Sequence, residues 1–270
     1  MKQPMTEPEK NLLYSHREKN FMEVVDEGHY RSLYFQGDVV QSRICLKDPG
    51  RLILRYTQYM MAAALLASTR PSQVLLIGIG AGSLLQFFTR FLPSCHIDAV
   101  DYSENIIRVA RGFFLLPEND FIRIHCNDGL HYLKNLCQER LFDLILVDAF
   151  TDTGMARTVY SSEFFKTARS RLTPGGVVCS NLWSGNPTVY KSVHKAMTKH
   201  FSGSILIPVR KRENRIALLF QESVPWKAIC PSPQVLEALT KTYGLDFAEV
   251  SAAARKHNMK LGERMQHLFR

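Results

Sequence analysis

Carboxylates that close short apolar segments can do two kinds of chemistry. They accept hydrogen bonds from the hydroxyl or amino groups of a nucleoside, or they hold and deprotonate an ammonium. This chain places three of them in that position. Asp101 ends His96 to Asp101, Asp128 sits in Asn127-Asp128-Gly129 after Ile122 to Cys126, and Asp148 ends Asp143 to Asp148. Ahead of them Gly78, Gly80 and Gly82 follow the apolar run Val74 to Ile77 and precede the helical stretch Leu84 to Phe91. Glycines there let the backbone turn tightly and a ligand approach its amides. The spacing is G-x-G-x-G, not the G-x-G-x-x-G of dinucleotide enzymes, which favours an adenosylmethionine-type ligand and leaves a dinucleotide oxidoreductase as a distant reading.

The elements that must position these residues alternate. Strands are expected at 74–78, 96–101, 122–126, 143–148 and 177–182, and helices at 84–91, 104–114, 130–138 and 162–171. Continuously apolar strands separated by helices specify a parallel sheet covered on both faces. In such a sheet ligands sit outside the carboxyl ends of the strands, so three acids at three successive strand ends face one crevice. Asp101 nineteen residues after Gly82 is placed for ribose hydroxyls, and Asp128 for an adenine amino group. The plainer alternatives are a turn aspartate for the first and a turn former for the second.

Before the first glycine, 29–35, 38–46 and 51–54 read as short strands of an antiparallel β-subdomain, with turns at Gly37-Asp38 and Asp48-Pro-Gly. Residues 1–20 read as a loose arm or one helix, and Tyr56 to Ser68 as a helix ended before Pro71. A further helix at 188–200, a strand pair at 203–209 and 215–220, and helical structure over 231–270 complete the chain. The expected division is an N-terminal arm and small β-subdomain at 1–55, a Rossmann-like nucleoside-binding catalytic domain at 56–225, and a C-terminal helical extension at 226–270. The expected fold class is thus α/β, a Rossmann-like sheet preceded by a small antiparallel β-subdomain.

Bulk properties exclude several classes. With 270 residues, 46% apolar and 22% charged, the chain is ordinary globular protein. No run reaches the ~18–20 apolar residues of a membrane span, and the opening MKQPMTEPEKN lacks the apolar core of a secretory signal, so a cytoplasmic protein is expected. Six scattered cysteines without a C-x-x-C pair suggest free thiols, with no metal site. The net charge of +9 concentrates at Arg210-Lys211-Arg212 with Arg215 and in a tail holding Arg255, Lys256, Lys260, Arg264 and Arg270. No nucleic-acid module accompanies these charges, so they read as solvated faces and nucleic acid is not an expected partner.

The motifs together resemble the spermidine synthase (polyamine aminopropyltransferase) family, in particular a short bacterial spermidine-synthase-like branch, over roughly residues 30 to 220. The resemblance rests on Tyr56-Thr-Gln58, eighteen residues before Val74 like the family's Y-H-E helix, and on VLLIGIGAGSL, AVDYSENII, CNDGLHYL, FDLILVDAF and SSEFFKTARSRLTPGGVVCSNLW. It implies a class I S-adenosylmethionine-dependent methyltransferase fold and transfer of an aminopropyl group from decarboxylated S-adenosylmethionine to an amine in polyamine metabolism. It further implies that Asp101 holds ribose, Asp128 with Gly129 the adenine end, and Gly78, Gly80 and Gly82 the nucleoside's tail. Asp148 with Tyr56 would border the reacting amine, and Gln58 and Tyr160 would bind it. Asn181 and Trp183 are further candidates for the crevice wall. A homodimer through the β-subdomain is implied as well.

Three positions depart from the family pattern. Ala81 replaces an aspartate of the glycine loop, and Gln58 a glutamate. The family's D-[S/T]-x-D-P becomes Asp148-Ala-Phe-Thr151-Asp152, so its catalytic aspartate falls on Thr151; Asp152 takes that role if the loop is shifted by one residue. Fewer acids at the polyamine end argue against putrescine as acceptor. Two other readings stay open: a methyltransferase using intact S-adenosylmethionine, since Ala81 no longer repels a carboxylate, and a nucleoside-binding module without turnover.

Overall fold

The computed structural model describes residues 10–16, 21–35, 39–68, 70–151 and 154–259. The chain opens with β1 (Lys10–His16), β2 (Met22–Glu27), β3 (Tyr30–Phe35) and β4 (Val40–Cys45), an antiparallel sheet in the order β1-β2-β3-β4. Two expectations are corrected here. The described part of the N-terminal arm is a strand, because β1 pairs with β2 from Lys10↔Glu27 to His16↔Met22. The strand expected at 51–54 does not form: after the turn at Asp48 to Gly50 the chain drops Leu52 into the core and enters α1 (Arg55–Ala67) directly. The Gly37-Asp38 turn lies outside the described residues.

Helix α1 is buried nearly all round, from Tyr59 to Leu66, which is why its sequence is Ala, Leu and Met with no polar stripe. The alternating region follows as β5 (Gln73–Ile77), α2 (Ser83–Phe91), β6 (His96–Asp101), α3 (Glu104–Phe113), β7 (Ile122–Cys126), α4 (Gly129–Lys134) and β8 (Phe142–Val147). A short hairpin, β9 (Phe150–Thr151) with β10 (Gly154–Met155), then leads to α5 (Ser162–Ser170), β11 (Leu172–Trp183), α6 (Pro187–Thr198), β12 (Gly203–Pro208) and β13 (Asn214–Phe220). Seven strands form the main sheet in the order β12-β13-β11-β8-β5-β6-β7. Those from β11 to β7 are parallel, and β13 runs antiparallel between β11 and β12.

The chain leaves β5 toward β6 on one side and returns to β8 on the other. The switch point therefore lies at the carboxyl ends of β5 and β8. Helices α7 (Trp226–Ile229), α8 (Pro233–Tyr243) and α9 (Phe247–Asn258) close the described chain, and Phe247 and Val250 share one apolar cluster with α1 and the sheet. Lys260 to Arg270 of the basic tail lie outside the described residues. The β1–β4 sheet lays Met22, Val24, Leu33 and Ile44 against Ile106, Val109 and Phe114 near α3, so its end overhangs the switch point.

Candidate active site

A crevice of about 690 Å³ opens at the switch point, within the ~300–1,000 Å³ usual for small-molecule sites. Gly78, Gly80, Asp101, Asp128, Gly129, Asp148 and Tyr56 all line it. The glycine loop is built from left-handed backbone: φ is +90° at Gly78, +53° at Gly80 and +75° at Gly82. At Gly78 a side chain is also sterically excluded, because a Cβ would run into the carbonyl of Asp148. The loop is thereby pressed against the end of β8, and the two halves of the crevice share a floor.

At one end the acids are held by backbone. Asp101 accepts from the Ile79 N–H at 2.9 Å through Oδ2 and from the Ser103 N–H at 3.0 Å through Oδ1. Burial pushes its carboxyl up, and these backbone donors oppose the rise. The Gly80 N–H is a third backbone donor to the same carboxylate. Asp128 caps α4, Oδ1 accepting from the Leu130 and His131 N–H groups at 2.9 and 3.0 Å, while Oδ2 accepts from Thr158 Oγ1 at 2.7 Å. The cap and the crevice-lining position thus belong to one residue. Helix α2 begins at Gly82 without a side-chain cap, which leaves its first amides available to a polar group. Gly82 itself is not on the crevice wall; it sits under Leu116 as the helix N-cap.

At the other end the acid is held by side chains. Asp148 is half-buried, and Oδ1 accepts from Asn181 Nδ2 at 2.9 Å. Burial pushes its carboxyl up to about 6 against the opposing hydrogen bonds of Asn181 and Tyr56. The Tyr56 hydroxyl also lies 3.3 Å from the Gln41 carbonyl oxygen, and burial followed by the nearby Asp148 raises its phenol well above the ordinary value. Phe35, Phe150, Met155, Trp183 and Val189 make the surrounding wall largely apolar. Thr151 lines it too, with Oγ1 donating to the Gly154 carbonyl at 3.2 Å. Arg157 is the cation among the described lining residues.

Besides Gly82, three candidate residues are not on the wall: Gln58, Tyr160 and Asn181, the last standing behind Asp148. The Gln58 amide donates to the Leu52 carbonyl at 2.8 Å; two residues apart on α1, Tyr56 and Gln58 point to different faces. Tyr160 is only 4% exposed and donates to the Asn181 backbone carbonyl at 2.6 Å, so it stands behind the wall as a support. Asp152 lies outside the described residues. Sequence reasoning also missed Gln41, Ser42 and Phe35, which reach the crevice from the N-terminal sheet, and Thr158, which holds Asp128. No local signal marks them, because their partners come from other elements. Among the described residues no group of three His, Cys, Asp or Glu is placed to hold a metal, and no helix is long and apolar enough to cross a membrane.

A spermine/spermidine synthase domain matches residues 53–209. A polyamine aminopropyltransferase of Chromobacterium violaceum is 33% identical over 244 residues, covering 88% of this chain and 91% of that protein. Among solved structures, a probable spermidine synthase from Corynebacterium glutamicum superposes with a TM-score of 0.70 at 19% identity, over 94% of this chain and 96% of that one. A spermidine synthase in complex with the transition state analogue AdoDATO gives 0.70 at 16% identity, over 96% and 89%. The two superpositions bear on the fold, which is methyltransferase-like.

Proposed function

This chain belongs to the spermine/spermidine synthase family, and we propose that it transfers the aminopropyl group of decarboxylated S-adenosylmethionine to an amine. The observation that carries this reading is Asp148: a half-buried carboxylate at the floor of a nucleoside-type crevice, in backbone contact with the glycine loop. The co-substrate supplies an electrophilic methylene bonded to a sulfonium. The acceptor arrives as an ammonium, which has no lone pair and must lose a proton before it can attack. Asp148 accepts that proton. The amine nitrogen then forms the new C–N bond, the C–S bond breaks, and its electron pair returns to sulfur to leave methylthioadenosine.

The remaining roles follow from placement. Asp101 accepts from the ribose hydroxyls and Asp128 from the adenine amino group. Gly78 and Gly80 let the backbone close on the nucleoside's tail, and Tyr56 orients the Asp148 carboxylate. A carboxylate beside an ammonium and a sulfonium also lowers the cost of bringing two cations together, and the apolar wall strengthens that attraction by excluding water. On the sequence alone, Asp152 is assigned as a second acceptor-side acid; Asp152→Ala then lowers transfer at least tenfold, and unchanged transfer would remove it from the site. The N-terminal sheet is proposed to join two copies, and light scattering that showed a monomer at high concentration would reject this.

The deciding experiment is calorimetric binding of S-adenosylmethionine, its decarboxylated form and methylthioadenosine, with product analysis against a panel of amines. A preference of more than about tenfold for the decarboxylated form, ~1.4 kcal/mol, with methylthioadenosine released on adding an amine, is expected. Preference for the carboxylated form would turn the reading to methyl transfer. Binding without turnover on any acceptor would leave a nucleoside-binding module.

A further inference from the structure

Asp148 does not end its hydrogen-bond chain at Asn181. Asn181 Oδ1 accepts from Asn214 Nδ2 at 3.0 Å, so the chain runs Asn214 to Asn181 to Asp148 across β13, β11 and the end of β8. Asn181 is 1% exposed, and its backbone carbonyl is held by the Tyr160 hydroxyl. The polarity of this chain has one solution. An ionised carboxylate only accepts, so Asn181 must turn its NH₂ toward Asp148 and its oxygen toward β13. Asn214 must then present its own NH₂. A flipped Asn181 would set a carbonyl oxygen against the carboxylate and leave a buried NH₂ against another donor, both unfavourable in a dry site.

We propose that Asn181 and Asn214 are positioning residues of the transfer site, a one-way amide relay that fixes the orientation and ionisation of Asp148 from a strand that does not itself reach the reacting groups. The inference rests on the aminopropyl-transfer reading for what the relay serves, though not for its existence. The titratable groups facing Asp148 are Tyr56 of α1, Tyr160 before α5 and Cys179 of β11. Burial raises all three, so among the described residues Asp148 alone changes charge there between pH 5 and 8. Donation from Asn181 favours the carboxylate. Losing it therefore moves Asp148 titration, and with it the acidic limb of the transfer rate, to higher pH.

The test uses one near-isosteric change and one truncation on β13, where misfolding is least expected. Asn214→Asp offers an acceptor to Asn181, favouring its flip, and Asn214→Ala releases it without adding charge. For Asn214→Asp the midpoint of the acidic limb of kcat/KM is expected to rise by about one pH unit, the loss of a hydrogen bond to a charged group of ~1.5 kcal/mol. For Asn214→Ala it is expected to rise by less, since Asn181 can still donate to Asp148. Transfer by Asn214→Asp is expected to fall about tenfold at pH 5, below both midpoints, and about twofold at pH 7, while methylthioadenosine binding stays within twofold. In an Asn181→Ala background the Asn214→Ala change should add nothing further, since the relay is already broken. Carbon NMR titration of the Asp148 carboxyl reads the same shift without turnover. A shifted titration in a protein that transfers nothing would sink the functional reading and keep the relay. An unmoved midpoint in an active enzyme, with at most a lowered Tm, would overturn the relay and keep the function.

Discussion

The two ends of the crevice are made of different material. At the nucleoside end Asp101 and Asp128 are gripped mainly by backbone N–H groups, to which the Thr158 hydroxyl adds one side-chain bond on Asp128. At the acceptor end Asp148 is gripped by side chains from α1 and β11, 92 and 33 residues distant. Backbone anchors survive most substitutions, because every residue type but proline supplies the same N–H. Side-chain anchors do not. A nucleoside site can therefore persist while an acceptor site drifts; here the three glycines, Asp101 and Asp128 match the family's motifs, whereas Ala81 departs within the glycine loop and Thr151 at the end of β8.

The sharpest way to separate the two ends is to neutralise one acid in each. Asp148→Asn is expected to lower kcat by about 10³-fold, in the usual range for loss of a positioned acid or base, with methylthioadenosine affinity within twofold by calorimetry. Because burial disfavours the charged form, the same variant should show an unchanged or higher Tm at pH 8. Asp101→Ala should do the reverse, weakening nucleoside binding about 100-fold through two lost charge-assisted hydrogen bonds of ~1.5 kcal/mol each. If both variants lost binding equally, the division of labour would be wrong.

The pH dependence probes the acceptor end alone. With its carboxyl near 6, Asp148 is ionised at pH 8 and becomes protonated as pH falls, so kcat/KM should drop with unit slope below about pH 6. Tyr56→Phe removes a donor that favours the carboxylate, so this limb should move to higher pH. Nucleoside binding measured over the same range should not follow it. The smallest effect is expected where the two ends meet the N-terminal sheet. Gly80→Ala forces a φ of +53° on a residue with a Cβ, ~1–2 kcal/mol, while that Cβ meets Ser42 Oγ only at an ordinary 3.5 Å. A drop of a few degrees in Tm with binding changed less than about fivefold is expected; thermal melts and calorimetry check both.

Much of this was legible beforehand because the information is local. Strand and helix periods placed β6 and β7 at the expected residues, and the other elements of the parallel sheet within a few residues at either end. The glycines required left-handed backbone wherever a strand turns into a helix over a ligand. Two kinds of feature were not legible. The sequence of β1 reads as a loose arm or one helix, because the pairing with β2 and the packing of Leu13 and Tyr14 beside α3 are not written in seven residues. The family resemblance implies substrate contacts at Gln58 and Tyr160, yet the turn of α1 directs one to Leu52 and the packing of β11 directs the other to Asn181.

By itself, then, the sequence determined the kind of sheet, the loop that turns at Gly78 and the three acids at its carboxyl edge, since each depends on residues within a few positions of one another. Tertiary structure alone decided which polar side chains share a proton network. Asn214 reaches Asp148 only through Asn181, across an antiparallel strand whose register brings Asn181 opposite Ile216 and Trp183 opposite Asn214. Hydrogen bonds between side chains follow distance in space, and chain order carries no record of it until the strands are paired.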